Sequence, residues 1–171
     1  MNNPHKFFCL IIIFLLGIFI ACSKKQPAIR EKADRVLVFK SKRKMQLLKD
    51  NKVLRTYSIA LGASPDGHKS QEGDEKTPEG RYTLDWRNAK SSCYKSLHVS
   101  YPNEKDRKSA DEKGVSPGGM IMIHGLHPSI KWAGGFHTLY DWTNGCIGVT
   151  NAEMDEIWKT VPDGTIIEIK P

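Results

Sequence analysis

Near the N-terminus, the fifteen residues Phe7 to Ala21 are apolar at every position except Gly17, and this stretch decides how the rest of the chain can fold. A membrane-spanning helix wants about 20 apolar residues. This run stops short at Cys22, Ser23, Lys24 and Lys25. Led in by His5 and Lys6, it has the shape of a secretory signal, with an uncleaved N-terminal anchor as the alternative. Once it is set aside, about 150 residues remain, enough to bury a single core without disulfide staples. The expected organisation is a signal peptide over 1–21, a polar tether over 22–34 and one domain over 35–171.

Cys22, placed just after the small residue Ala21, resembles the lipobox of bacterial lipoproteins, in which that cysteine is lipidated. Ser23 after it resembles the outer-membrane sorting pattern. The expected address is therefore the periplasmic side of the cell envelope, with the membrane as a partner through the N-terminal lipid. Processing would remove Cys9 and lipid would occupy Cys22, which leaves Cys93 and Cys146 in the folded domain. In an oxidising compartment these two either pair with each other or include one reactive thiolate. Lys and Arg number 26 against 19 Asp and Glu, a net charge of +7. No basic run is interleaved with aromatics, so nucleic acid is not an expected partner.

Val36 to Phe39 and Met45 to Leu48 are short apolar runs, and Asp50-Asn51 turns the chain into Val53 to Leu61, where Val53, Tyr57, Ile59 and Leu61 share one parity. This pattern predicts strands joined by a hairpin. Ser64 to Glu79 reads as a long polar loop closed by a Pro-Glu-Gly turn, and Arg81 to Trp86 as a strand. Asn103 to Lys113 predicts a solvated surface helix, and Met120 to Ile123 a buried strand running into His124. Thr150 and Glu153 form a capping box, with Met154, Ile157, Trp158 and Val161 on one helical face. Thr165 to Ile169 is a closing strand. Many short strands with one or two helices point to a mostly β domain with flanking helices, an α+β sandwich or barrel.

Two segments carry chemistry. Ile121-Met122-Ile123-His124-Gly125 ends a strand on a histidine, and Thr143-Asn144-Gly145-Cys146-Ile147-Gly148 places a cysteine after a glycine. A thiolate is a nucleophile that a nearby imidazole can deprotonate, and the same imidazole can later protonate a leaving amine. Glycine beside the nucleophile leaves room for backbone N–H groups around an oxyanion. From composition alone the alternative reading stays open, in which His124 is a core histidine.

The spacing of these segments, His124, eighteen residues, then Thr143-Asn144-Gly145-Cys146, resembles the signature of the L,D-transpeptidase catalytic (YkuD-type) family. Ala60-Leu61-Gly62, Gly67-His68-Lys69, Thr77-Pro78-Glu79-Gly80-Arg81-Tyr82 and Asp141-Trp142-Thr143 resemble its YafK-like branch. The resemblance implies an L,D-transpeptidase-like β-sandwich or barrel that acts on peptidoglycan stem peptides through a thioester, without cofactor or metal. Cys146 would be the nucleophile and His124 the base, with Gly125 fixing the imidazole tautomer through a backbone carbonyl. The N–H groups of Gly145 and Cys146 would form the oxyanion hole, with Thr143 and Asn144 orienting the turn. Asn144 stands where the family signature has a second histidine, and Gly148 where many members carry arginine.

The alternatives are a peptidoglycan peptide hydrolase of the same fold (an L,D-carboxypeptidase or amide-releasing enzyme), a non-catalytic wall-binding lipoprotein, and a zinc site drawn from His124, His127, His137 and Cys146. His137, Asp141 and Arg81 are candidate cleft residues, and Lys69 and Arg81 candidate carboxylate binders. Trp86, Trp142 and Trp158 read as core.

Overall fold

The computed structural model describes residues 27–171; the expected signal peptide, Cys22 and the first residues of the expected tether lie outside the described residues. Among the described residues no helix is long and apolar enough to cross a membrane. Three antiparallel strands open the domain: β1 (Arg35–Phe39), β2 (Lys44–Lys49) and β3 (Lys52–Ser58). Asp50 and Asn51 both have positive φ, the geometry of a two-residue hairpin turn. Val36, Val38, Met45 and Leu47 alternate into the core. Val53 breaks the expected parity and is 52% exposed. A register shift opposite Leu47 and Leu48 adds a residue to β3 and turns the strand's first residues to the other face.

The next strand, β4 (Gly80–Ser91), runs past the expected end at Trp86 and folds back onto β5 (Tyr94–Val99). Trp86 is a surface residue stacked on His98, with ring centroids 4.7 Å apart, not a core residue. Helix α1 (Glu104–Glu112) is capped by Asn103 and solvated except at Ala110 and Asp106. The Asp106 carboxylate accepts the Tyr82 hydroxyl proton at 3.0 Å, which anchors the helix to β4. Strand β6 (Met122–His124) leads into a 3-10 segment (Pro128–Leu139) and then the two-residue β7 (Ile147–Gly148). Helix α2 (Asn151–Thr160) carries the expected capping box, with Met154 and Ile157 buried and Trp158 half-buried against the core. The chain closes on β8 (Thr165–Lys170), inserted between β1 and β4.

The sheet order is β3-β2-β1-β8-β4-β5-β6-β7, a mostly β fold with flanking helices. Its two end strands are stitched together. Just after β3, Ala60 exchanges both backbone hydrogen bonds with Gly148, the Thr143 N–H donates to the Leu61 carbonyl, and the Ala63 N–H donates to the Thr143 carbonyl. The sheet therefore curls on itself, and the seam falls on the Thr143–Gly148 segment. Before β1, Ala33 is already buried and donates its N–H to the Thr160 carbonyl, so the packed body includes residues just ahead of the first strand.

Candidate active site

Strands β6 and β7 run parallel, with Ile123 beside Ile147 and His124 beside Gly148. One residue further back, the same register sets Cys146 beside Met122. Side chains two positions apart share a face, so Cys146 and His124 project from the same side of the sheet. A strand separation of about 4.8 Å and a rise of about 3.3 Å per residue put their Cα atoms roughly 8 Å apart, within reach of two convergent side chains.

His124 is buried, and its Nδ1 lies 2.6 Å from the Gly125 carbonyl oxygen. A carbonyl only accepts, so Nδ1 carries the proton and Nε2 presents its lone pair. Burial pushes the imidazole below its usual pKa, only partly offset by that carbonyl. Burial also pushes the Cys146 thiol up, against a weaker downward pull from the Met122 N–H. The Cys146 thiol points to the Met120 carbonyl at 3.6 Å. Both shifts come mainly from burial, which disfavours the charged form of each group.

The turn that carries Cys146 is held by close backbone packing. A Cβ on Gly62 would lie 2.0 Å from the Glu75 carbonyl oxygen and 2.9 Å from the Gly145 Cα. Gly145 itself has φ +118°, and its Cβ would meet the Lys76 carbonyl at 2.6 Å. The Gly62 N–H donates to the fully buried Thr77 hydroxyl. The long polar loop thus forms a wall of the site.

Several candidates take different roles from those expected. The Gly145 N–H donates to the Thr143 hydroxyl at 3.2 Å, so it is not free to serve an oxyanion; Thr143 in turn donates to the Cys146 carbonyl at 2.8 Å. Of the two N–H groups expected to form the hole, that of Cys146 has no acceptor among the described residues. Asn144 is exposed at the turn. Asp141 is not a cleft residue: one carboxylate oxygen accepts from Arg43 at 2.7 Å and the other from the Leu61 N–H at 2.8 Å, which clamps the turn to the β1–β2 connection. Arg81 sits on β4 in a different cavity, lined also by His68, Asn103 and Asp106. Lys69 is buried and already paired with Asp74 at 2.7 Å. His127 is exposed and caps the 3-10 segment through Ser129.

Cys93 and Cys146 are both free thiols. Cys93 lies in the β4–β5 turn, where its carbonyl oxygen would be 3.3 Å from a Cβ on Gly125, and it is near enough to Cys146 to act on it electrostatically. Among the described residues no three His, Cys, Asp or Glu side chains form a metal-ligand group, so His124, His127, His137 and Cys146 do not assemble as a zinc site.

Trp142 is the residue that spacing did not single out. Its half-buried indole sits edge-on to His124 at 5.6 Å and to His137 at 6.4 Å. A Cβ on Gly148 would lie 2.9 Å from the same ring, so the indole fills the space that a side chain at position 148 would need. The sequence reading placed Trp142 in the Asp141-Trp142-Thr143 motif but took its ring for core.

Comparison with known proteins shows the family of the chain. The family model for the L,D-transpeptidase catalytic domain (YkuD) matches residues 33–169. YafK of Escherichia coli strain K12, which carries an L,D-transpeptidase designation, is 30% identical over 132 residues, covering 74% of this chain and 46% of that protein. YqjB of Bacillus subtilis, with the same designation, is 28% identical over 139 residues, covering 78% of this chain and 69% of YqjB. The chain thus spans about half the length of YafK. The helical cell shape determining protein Pgp2 of Campylobacter jejuni superposes with a TM-score of 0.60 at 25% identity, over 83% of this chain and 49% of Pgp2.

Proposed function

Because this chain belongs to the L,D-transpeptidase catalytic domain family, we propose that it is a cysteine acyl transferase acting on peptidoglycan stem peptides. The observation that carries the reading is the shared face of Cys146 and His124, with the Gly125 carbonyl holding the Nδ1 proton and leaving Nε2 for the thiol. In this reading Nε2 of His124 takes the Cys146 proton as sulfur attacks the carbonyl between the third, diamino residue and the terminal D-residue. The Cys146 N–H steadies the oxyanion. Collapse expels the D-residue's amine, which takes its proton from the His124 imidazolium and leaves a thioester. An acceptor amine then forms the new amide and regenerates the thiol; water in its place would give hydrolysis, and product masses separate the two.

The test is acylation of Cys146 by a carbapenem, followed by adduct mass at neutral and alkaline pH. His124→Ala should slow acylation at neutral pH by about 10²-fold or more, the usual worth of a positioned base. Alkaline pH should rescue it in part by ionising the thiol directly. His127→Ala should behave as wild type. Acylation of His124→Ala at the wild-type rate at neutral pH would overturn the assignment of the base.

The leader belongs to the same proposal, with cleavage after Ala21 and lipid on Cys22 anchoring the domain to the outer membrane on its periplasmic side. Cys22→Ser should release the protein from the membrane fraction or block its processing, read by fractionation. Mature wild-type protein found soluble would refute the anchor. Stable anchoring needs more than a single acyl chain, which binds only marginally.

A further inference from the structure

The face of the sheet that carries Cys146 continues across two more strands. His98 on β5 pairs with Met122 on β6, and Met122 lies beside Cys146, so the three side chains form one row. Leu97 and Val99 point the other way, into the core. At a strand spacing of about 4.8 Å, His98 stands roughly 10 Å from Cys146. Strand β4 loses register at this point: Leu84 pairs with Val99 and Arg87 with Leu97, which sets two residues, Asp85 and Trp86, opposite the single His98. A bulge of this kind re-aims side chains. Here both of them reach the His98 ring. The Asp85 carboxylate accepts from His98 Nδ1 at 2.7 Å, and the Trp86 indole stacks on the imidazole with an interplanar angle of 17°. Only one carboxylate oxygen is used; the other accepts no hydrogen bond among the described residues, and the side chain is 41% exposed. Trp86 is 39% exposed, which leaves indole surface open next to that carboxylate. A carboxylate with a spare oxygen beside an open indole suits a primary ammonium group, which gains an ion pair from the one and a cation–π contact from the other.

We propose that Asp85 and Trp86, set by the bulge beside His98, form the subsite for the side-chain ammonium of the acyl donor's diamino residue and so determine specificity at that position. The inference rests on the stem-peptide reading above. Length agrees with it: an extended diamino side chain carries its amine roughly 7–8 Å from its own carbonyl carbon, and a hydrogen bond adds about 3 Å. The sum is close to the roughly 10 Å between Cys146 and His98. The same distance rules out the acceptor's reacting amine, which must come within about 3.5 Å of the thioester carbon.

The probes are tetrapeptides L-Ala-γ-D-Glu-X-D-Ala in two series, X being lysine or its amine-free counterpart norleucine, and diaminopimelate or its amine-free counterpart 2-aminopimelate. Affinities are read by calorimetry on the full chain carrying Cys146→Ala, so that binding is separated from turnover. In at least one series the amine-bearing peptide should bind about five- to tenfold more tightly than its counterpart, the combined worth of a partly exposed ion pair and a cation–π contact. Adding Asp85→Asn should bring that ratio close to one by weakening the amine-bearing peptide alone. The asparagine oxygen can still accept from His98 Nδ1, so the fold is kept. Trp86→Leu should lower the ratio by about threefold. Equal affinities within both series, a ratio that Asp85→Asn leaves unchanged, or no binding of any of the four peptides would overturn the proposal. Release of D-alanine by the chain with Cys146 intact is followed by mass in parallel. Release that ignores both the amine and Asp85 sinks this inference alone, and an Asp85-dependent binding ratio without any release sinks only the catalytic reading.

Discussion

Replacing Cys146 by alanine should abolish turnover of stem peptides, with a loss of about 10³-fold or more, while the domain stays folded. The size follows from the proposed two-step acyl transfer, in which Cys146 is the nucleophile and residues that act as a unit with it cannot substitute for it. The fold should survive because the side chain is only half-buried and its hydrogen bond to the Met120 carbonyl, at 3.6 Å through sulfur, is weak. Cys93→Ala should leave turnover nearly unchanged, since Cys93 sits in the β4–β5 turn with its N–H on the Ser91 hydroxyl. Muropeptide products measured by mass, alongside circular dichroism of both variants, make the test. Equal losses in the two variants would show that both thiols act and would remove Cys146 from its singled-out role.

The second large effect concerns a residue with no chemistry of its own. Gly62→Ala should lower stability by about 3 kcal/mol and the melting temperature by about 10 °C, near the top of the range for forced overpacking. The inserted methyl would meet backbone on both sides, the Glu75 carbonyl at 2.0 Å and the Gly145 Cα at 2.9 Å, and neither can yield as a flexible side chain would. The strain would fall on the turn that carries Cys146, so activity should drop more than stability alone explains. Gly73→Ala is the comparator. Gly73 has a positive φ of +78° but open space around it, so the cost there should be only about 1 kcal/mol. Equal melting temperatures for the two variants would show that the loop does not press on the turn that carries Cys146.

Local signals carried much of this architecture. Thr150 and Glu153 bracket α2, and Asp50-Asn51 make the hairpin, because capping and turn chemistry act over three or four residues. Strand β5 was missed: Tyr94 to Val99 mixes Lys95, Ser96 and His98 with apolar residues, and only its position between β4 and β6 makes it a strand. Val53 went to the wrong face because a bulge is invisible to a period-two pattern. At the site, the spacing of His124 and Cys146 was legible, while the Gly125 carbonyl on the imidazole was implied only by the family resemblance. The partners of Asp141 and Lys69 were not. A charged side chain in a loop has the same local sequence whether it meets substrate or a distant ion pair, and here Arg43, the Leu61 N–H and Asp74 had claimed them.

By itself, the sequence determined the residue types that can do acyl chemistry and the order in which the chain presents them, because motif spacing is a property of the covalent chain. Only the tertiary structure decided which face they share, which N–H is spent on Thr143 and which is left over, and that Trp142 stands between two buried histidines. Those outcomes depend on the seam between residues 60–63 and 143–148, about eighty residues apart in the chain. Contacts over that separation exist only once the whole sheet has curled and its core has packed, and no local pattern encodes them.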